Sequence, residues 1–241
     1  MTGQALLDLG RTDEAEQLFR DLLAENPGLP KVYLALARLY TQRSDWKNCA
    51  ETGRRAVEND SAVPQTRNLQ GQALLTLNRI DEATQVFRDL IEAAPDTPTG
   101  YLGLAQTSAR QDDWETCART GALALEHGID HPQITNLHGQ ALVELKRFAE
   151  LRDLLADYFE RTGIMDRHMV AGPAVTDRRL AFPALIDLYW KASIGCGDYD
   201  TAVRFELEIS NARAQGEAMA TLFGDCAAYL PFFDHAILGD I

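Results

Sequence analysis

The sequence predicts an all-α fold, a right-handed solenoid of helix-turn-helix repeats of about 34 residues each, and three observations carry that expectation. The stretch from Gly71 to Ile91, GQALLTLNRIDEATQVFRDLI, returns almost unchanged from Gly3 to Leu23 as GQALLDLGRTDEAEQLFRDLL. Its opening returns again at Gly139 as GQALVELKRF, so Gly3, Gly71 and Gly139 stand at equal intervals of two repeats. Between these copies lie VYLALARLYTQRSDWKNCAETGRRAVE from Val32 and GYLGLAQTSARQDDWETCARTGALALE from Gly100, in which Ala37 and Ala105 hold the glycine's place one repeat on.

Each repeat divides into a first helix, A, a short turn and a second helix, B. Apolar residues at helical spacing mark the A helices, with Tyr33, Leu36, Ala37 and Tyr40 in one copy and Leu69, Ala73 and Leu77 in the next. Pro30, Pro64, Pro98 and Pro132 open successive A helices, where a first-turn N–H has no intrahelical acceptor to lose. The A–B turns are expected at Gly10, Ser44, Asn78 and Asp112. Acids follow at the start of helix B, as Asp13-Glu14, Asp45, Asp81-Glu82 and Asp113, and favour the positive end of the helix dipole.

The doubled period has a packing reading. Odd copies set Phe19 or Phe87 beside Ala15 or Ala83, while even copies set Gly53 or Gly121 beside Cys49 or Cys117 and begin helix B with Trp46 or Trp114. Helices about 8–10 Å apart need large residues facing small ones to reach interior density. Trp46, Trp114, Cys49 and Cys117 are therefore expected in the core. Cys49 and Cys117 sit four helices apart in the stack, too far for a disulfide.

Gly71, Leu74, Ala83, Phe87 and Pro95, with Gly3, Leu6, Ala15, Phe19 and Pro27 in the earlier copy, resemble the tetratricopeptide repeat signature over roughly residues 1–163. Departures are Tyr33 and Tyr101 for its Trp, Ala37 and Ala105 for its Gly, and Gly53 and Gly121 for its Phe. The expected organisation is five repeats over 1–163, a connector over 164–182 containing Gly172-Pro173, and a divergent sixth helical pair with a capping helix over 183–241. In the sixth pair, Pro183 to Ile194 reads as helix A, Gly195-Cys196-Gly197 as the turn and Asp198 as the approach to helix B. The capping helix is expected from Ala212 to about Leu230, and the apolar end CAAYLPFFDHAILGDI is expected either to pack on the last helices or to mark a partner surface. Aligned on Gly71, the first repeat lacks a counterpart of Pro64 to Asn68, so it reads as truncated and the chain as a fragment with Met1 introduced.

Composition narrows the function. Thirty-six acidic against 23 basic residues give a net charge of −13, which disfavours phosphate backbones and anionic membranes and points to neutral or basic partners. No apolar run is long enough to span a bilayer and no signal pattern opens the chain, so a cytoplasmic setting is expected. No nucleotide-binding, zincin, hydrolase-elbow or CxxC motif occurs, and no cofactor is expected. His127 and His131 flank an inter-repeat turn and read as solvated rather than as metal ligands. Asp234-His235 lacks a nucleophile motif, and Cys196 has no flanking cation to lower its pKa. Arg161, Arg167, His168, Arg178 and Arg179 cluster in the chain and could receive a phosphate or carboxylate near the connector, but Asp166 and Asp177 stand beside them and favour surface pairing.

The functional signal lies on the A helices, which in tetratricopeptide repeat proteins line a concave groove. Asn68 and Gln72, repeated as Asn136 and Gln140, share a phase in which Gln4, Arg38 and Gln106 also stand with the glutamines. Residues four apart lie on one helix face, and an amide both donates to and accepts from a peptide backbone. This row is the candidate site for a protein or extended peptide. The clamp for chaperone-tail carboxylates used by one subgroup of the family is not matched, because the places for its later basic residues hold Thr99 and Gly103. The expected role is a non-catalytic binding scaffold. The alternatives are an accessory module of a larger enzyme, such as a transferase, and a self-assembly module joining copies through the chain ends.

Overall fold

A computed structural model describes residues 3–162 and 182–198. Helices run in pairs: α1 (Gly3–Asp8) and α2 (Thr12–Glu25), α3 (Pro30–Gln42) and α4 (Trp46–Glu58), α5 (Pro64–Thr76) and α6 (Ile80–Ala93), α7 (Pro98–Arg110) and α8 (Trp114–Glu126), α9 (Pro132–Glu144) and α10 (Phe148–Thr162), followed by α11 (Phe182–Gly195). No strand occurs among the described residues. The architecture is the expected all-α solenoid of helix-turn-helix repeats. Two compact units divide within α9, one spanning Met1–Ile134 and the other Thr135–Ile241.

The turns follow one rule. Gly10, Ser44, Asn78, Asp112 and Lys146 each adopt a left-handed φ between 55° and 71° at the end of an A helix. The next amide then reaches back to the same carbonyl position in each turn, as in Arg79 N to Leu74 O at 2.9 Å and Asp113 N to Ser108 O at 2.9 Å. Such returning bonds satisfy the last carbonyls of the helix and reverse the chain. The predicted turn residues all fall at this position, and Lys146 completes the series. Beyond α11, Gly197 has φ 73° and Asp198 N donates to Ser193 O, while the expected second helix of the sixth pair lies outside the described residues.

The B helices alternate as the doubled period requires. In even copies Asp45 and Asp113 are N-caps, accepting from Asn48 N at 3.2 Å and Thr116 N at 3.0 Å. In odd copies Arg11, Arg79 and Arg147 precede the helix and hold Glu14, Glu82 and Glu150 through paired bonds. The exits differ as well. Helices α4 and α8 are followed by left-handed Asp60 and Gly128, whereas α2 and α6 end on the non-helical caps Asn26 and Ala94, each followed by a proline that disfavours helical backbone before it.

Within the first unit the core runs between the layers, with Tyr33, Ala37, Phe87 and Leu90 fully buried. A Cβ on Gly71 would stand 2.5 Å from Phe87 Cζ, and one on Gly103 would also meet that ring. Phe87 is thus seated between two glycines on α5 and α7. Gly53 in turn gives room to Gln70. Cys49 and Cys117 are buried and free, as expected. Trp46 and Trp114 depart from expectation and are only half-buried, because the first residue of a helix sits at its rim.

Helix α3 packs on α5 and α5 on α7, while no comparably close contact joins α4 with α6 or α6 with α8. The A helices are therefore the closer-spaced layer of the first unit. In the second unit α11 packs on α10, and Gly195 leaves space for the Phe148 ring. The expected connector and capping helix, and Arg167, His168, Arg178, Arg179, Asp234 and His235, lie outside the described residues.

Candidate functional site

Arg38, Gln72 and Gln106 occupy one register on α3, α5 and α7, three consecutive A helices of the first unit. Arg38 and Gln72 are exposed and Gln106 is half-buried. Asn68 stands one turn before Gln72 and accepts from its amide at 3.5 Å, a long bond that a competing partner can replace. The Gln106 side chain has no hydrogen bond among the described residues. These four residues come together as one face. The same register places Leu34 and Leu102, both half-buried, at the positions equivalent to Asn68. Their alternation with the asparagine was visible in the repeat spacing; both keep part of their surface exposed, although Leu102 also packs on the cluster of Tyr101, Ala124, Ile129 and Ile134.

The other members of the expected row stand apart. Gln4 falls on α1, and its side chain lies outside the described residues. Asn136 and Gln140 lie on α9 in the second unit. Gln140 is exposed like Gln72. Asn136 differs from Asn68, since its Oδ1 is buried and accepts no hydrogen bond from the described residues. On the same helix His138 is also buried, with Nδ1 unpartnered among the described residues, at the place Gln70 holds two repeats earlier. Burial, with Arg147 nearby, pushes the His138 pKa down to about 4, so the ring is neutral at physiological pH.

The other polar groups serve the scaffold. Arg43 holds Asp13 at 2.6 Å and Glu16 at 2.7 Å, and Gln111, its equivalent two repeats on, donates to Asp81 at 2.8 Å. Tyr40 joins Arg20 and Glu16. Burial pushes the Cys117 thiol up to about 11 and raises that of Cys49, so both stay protonated and unreactive at neutral pH. His127 caps α8 with its ring 6.0 Å from that of Tyr101. Arg161 pairs with Asp157 at 2.8 Å. Among the described residues no group of three or more His, Cys, Asp or Glu converges as metal ligands, and no helix is long and apolar enough to cross a membrane.

Two family models, each described as tetratricopeptide repeat, match residues 6–73 and 68–116. No curated protein matches the sequence. Among solved structures, pilF of Pseudomonas aeruginosa is similar over 94% of this chain and 94% of its own, at 18% identity and a TM-score of 0.58. MamA is similar over 70% of this chain and 93% of its own, at 14% identity and a TM-score of 0.60. YrrB, described as a TPR protein with an unusual peptide-binding site, is similar over 66% of this chain and 81% of its own, at 11% identity and a TM-score of 0.54.

Proposed function

The chain belongs to the tetratricopeptide repeat family, and on that premise we propose that it is a non-catalytic scaffold that binds an extended segment of a partner protein across the A helices of its first unit. Repeats of this family support protein interaction in general. The observation that carries the particular reading is the register of Arg38, Gln72 and Gln106 on three adjoining helices, with Asn68 beside them. An extended backbone presents donors and acceptors in turn, and amide side chains answer both without demanding a particular sequence. Leu34 and Leu102 supply apolar contact between the polar positions. Stable thiols and the scaffold roles of the other ionic groups accord with binding rather than chemistry.

A pull-down from an extract of the source cell tests this reading, run with the parent chain and with a variant carrying Asn68→Ala, Gln72→Ala and Gln106→Ala. The helices tolerate alanine, so the variant keeps the parent's circular dichroism spectrum and melting temperature. A partner is held by the parent and lost by the variant. Equal capture by both contradicts the assignment of this face.

A further inference from the structure

The carboxylates of this acidic chain are not spread evenly over its helices. Helices α3, α5 and α7 contain no Asp or Glu, yet they carry Lys31, Arg38, Arg67 and Arg110. The acids lie on the other layer, where α2 alone holds Asp13, Glu14, Glu16, Asp21 and Glu25 and α6 holds Asp81, Glu82, Asp89 and Glu92. The A helix α1 ends on Asp8, one helix away from Arg38. Pairing follows the same division. Arg20 binds Glu16, Arg54 binds Glu51 and Glu58, and Arg43 binds Asp13 and Glu16. Arg110 donates to the Leu75 carbonyl at 3.0 Å, near the end of α5. Lys31 and Arg38 stand two helical turns apart on one face of α3, both exposed, and among the described residues neither side chain is ion-paired or hydrogen-bonded.

We infer that the segment bound on the A face is acidic at its α3 end, with an Asp or Glu side chain of the partner seated on Arg38 beside Lys31. This deepens the proposed function and rests on its assignment of the A face. The net charge of −13 does not oppose it. At physiological salt the screening length is about 8 Å, while the opposite face of the B layer lies at least a helix diameter of about 10 Å away. Glu16, the B-layer acid that reaches α3 through Tyr40, is itself held by Arg20 and Arg43, so Lys31 and Arg38 remain the uncompensated charges of α3 among the described residues. Neighbouring helices lie about 8–10 Å apart and an extended chain advances about 3.3 Å per residue, so about three residues separate one helix crossing from the next. The acidic residue over Arg38 is followed about three residues on by an uncharged residue at Asn68 and Gln72, and about three further on by another at Gln106.

Selection of a displayed random twelve-residue peptide library on the parent chain tests this, followed by fluorescence polarisation of the selected peptides. They are expected to carry an Asp or Glu at a fixed spacing from an uncharged stretch. Binding is expected to fall roughly tenfold or more in Arg38→Glu, while Lys47→Glu, the same charge change on exposed α4, leaves it within about twofold. Both sites are exposed, and circular dichroism verifies that each variant is folded. Selected peptides that are basic, or that weaken equally in both charge variants, overturn the acidic register. If those peptides still depend on Asn68, Gln72 and Gln106, the A face stands without it. Peptides indifferent to Arg38 and to the three amides, or no selected peptide, overturn both readings.

Discussion

At the residue scale, His138 shows how the same position serves two chemistries. Its counterpart Gln70 is buried beside Gly53 and has no proton to gain near neutral pH. His138 is equally enclosed, and its pKa is lowered to about 4, chiefly by burial and secondarily by Arg147, with Glu150 opposing. The folded state therefore prefers the neutral ring. Its contribution is complete above the unfolded pKa of about 6.5 and is lost as pH falls from there towards about 4, where the folded ring protonates. The full swing is roughly 3 kcal/mol. His138→Gln is expected to remove this slope. Thermal unfolding of parent and variant between those pH limits checks it: the melting temperatures diverge as pH falls, the parent dropping further. Parallel curves would mean that the ring is solvated.

At the element scale, the A–B turn is one device used in each of the five helix pairs from α1–α2 to α9–α10. It needs a left-handed residue after each A helix, and four of the five residues there, Gly10, Ser44, Asn78 and Asp112, are common in turns. Lys146 is not, because its Cβ crowds the backbone at φ 57° and its side chain forms no local turn bond. Lys146→Gly is expected to raise stability by about 1 kcal/mol, seen as a higher melting temperature, and the same change at Asp112 should do less. These turns were legible in the sequence, as were the proline starts at Pro30, Pro64 and Pro98. Lys146 carries no turn signal of its own, and only the repeat spacing reveals its role. The half-burial of Trp46 and Trp114 was not legible, because residue type predicts burial while helix position decides it. The seating of Phe87 between Gly71 and Gly103 depends on how closely α5 and α7 approach, which the alternation of large and small residues only suggested.

At the scale of the whole molecule, the distribution of charge matters more than its sum. The net charge pointed to neutral or basic partners, yet counting carboxylates helix by helix shows that α3, α5 and α7 have none. That division is written in the sequence and becomes informative once α3, α5 and α7 are seen to adjoin. The amide row was legible in part. Phase alone aligned Arg38, Gln72 and Gln106, but it could not distinguish the half-exposed Asn68 from Asn136, whose oxygen is buried by its surroundings. The central claim, that a partner lies across the A face, is tested most directly by a photo-crosslinking side chain placed at Gln72 and, in a parallel chain, at Gln85, an exposed residue of α6 on the other layer. On irradiation in source-cell extract, Gln72 is expected to give a discrete adduct and Gln85 none. An adduct from Gln85 alone, or the same adduct from both, would contradict the account.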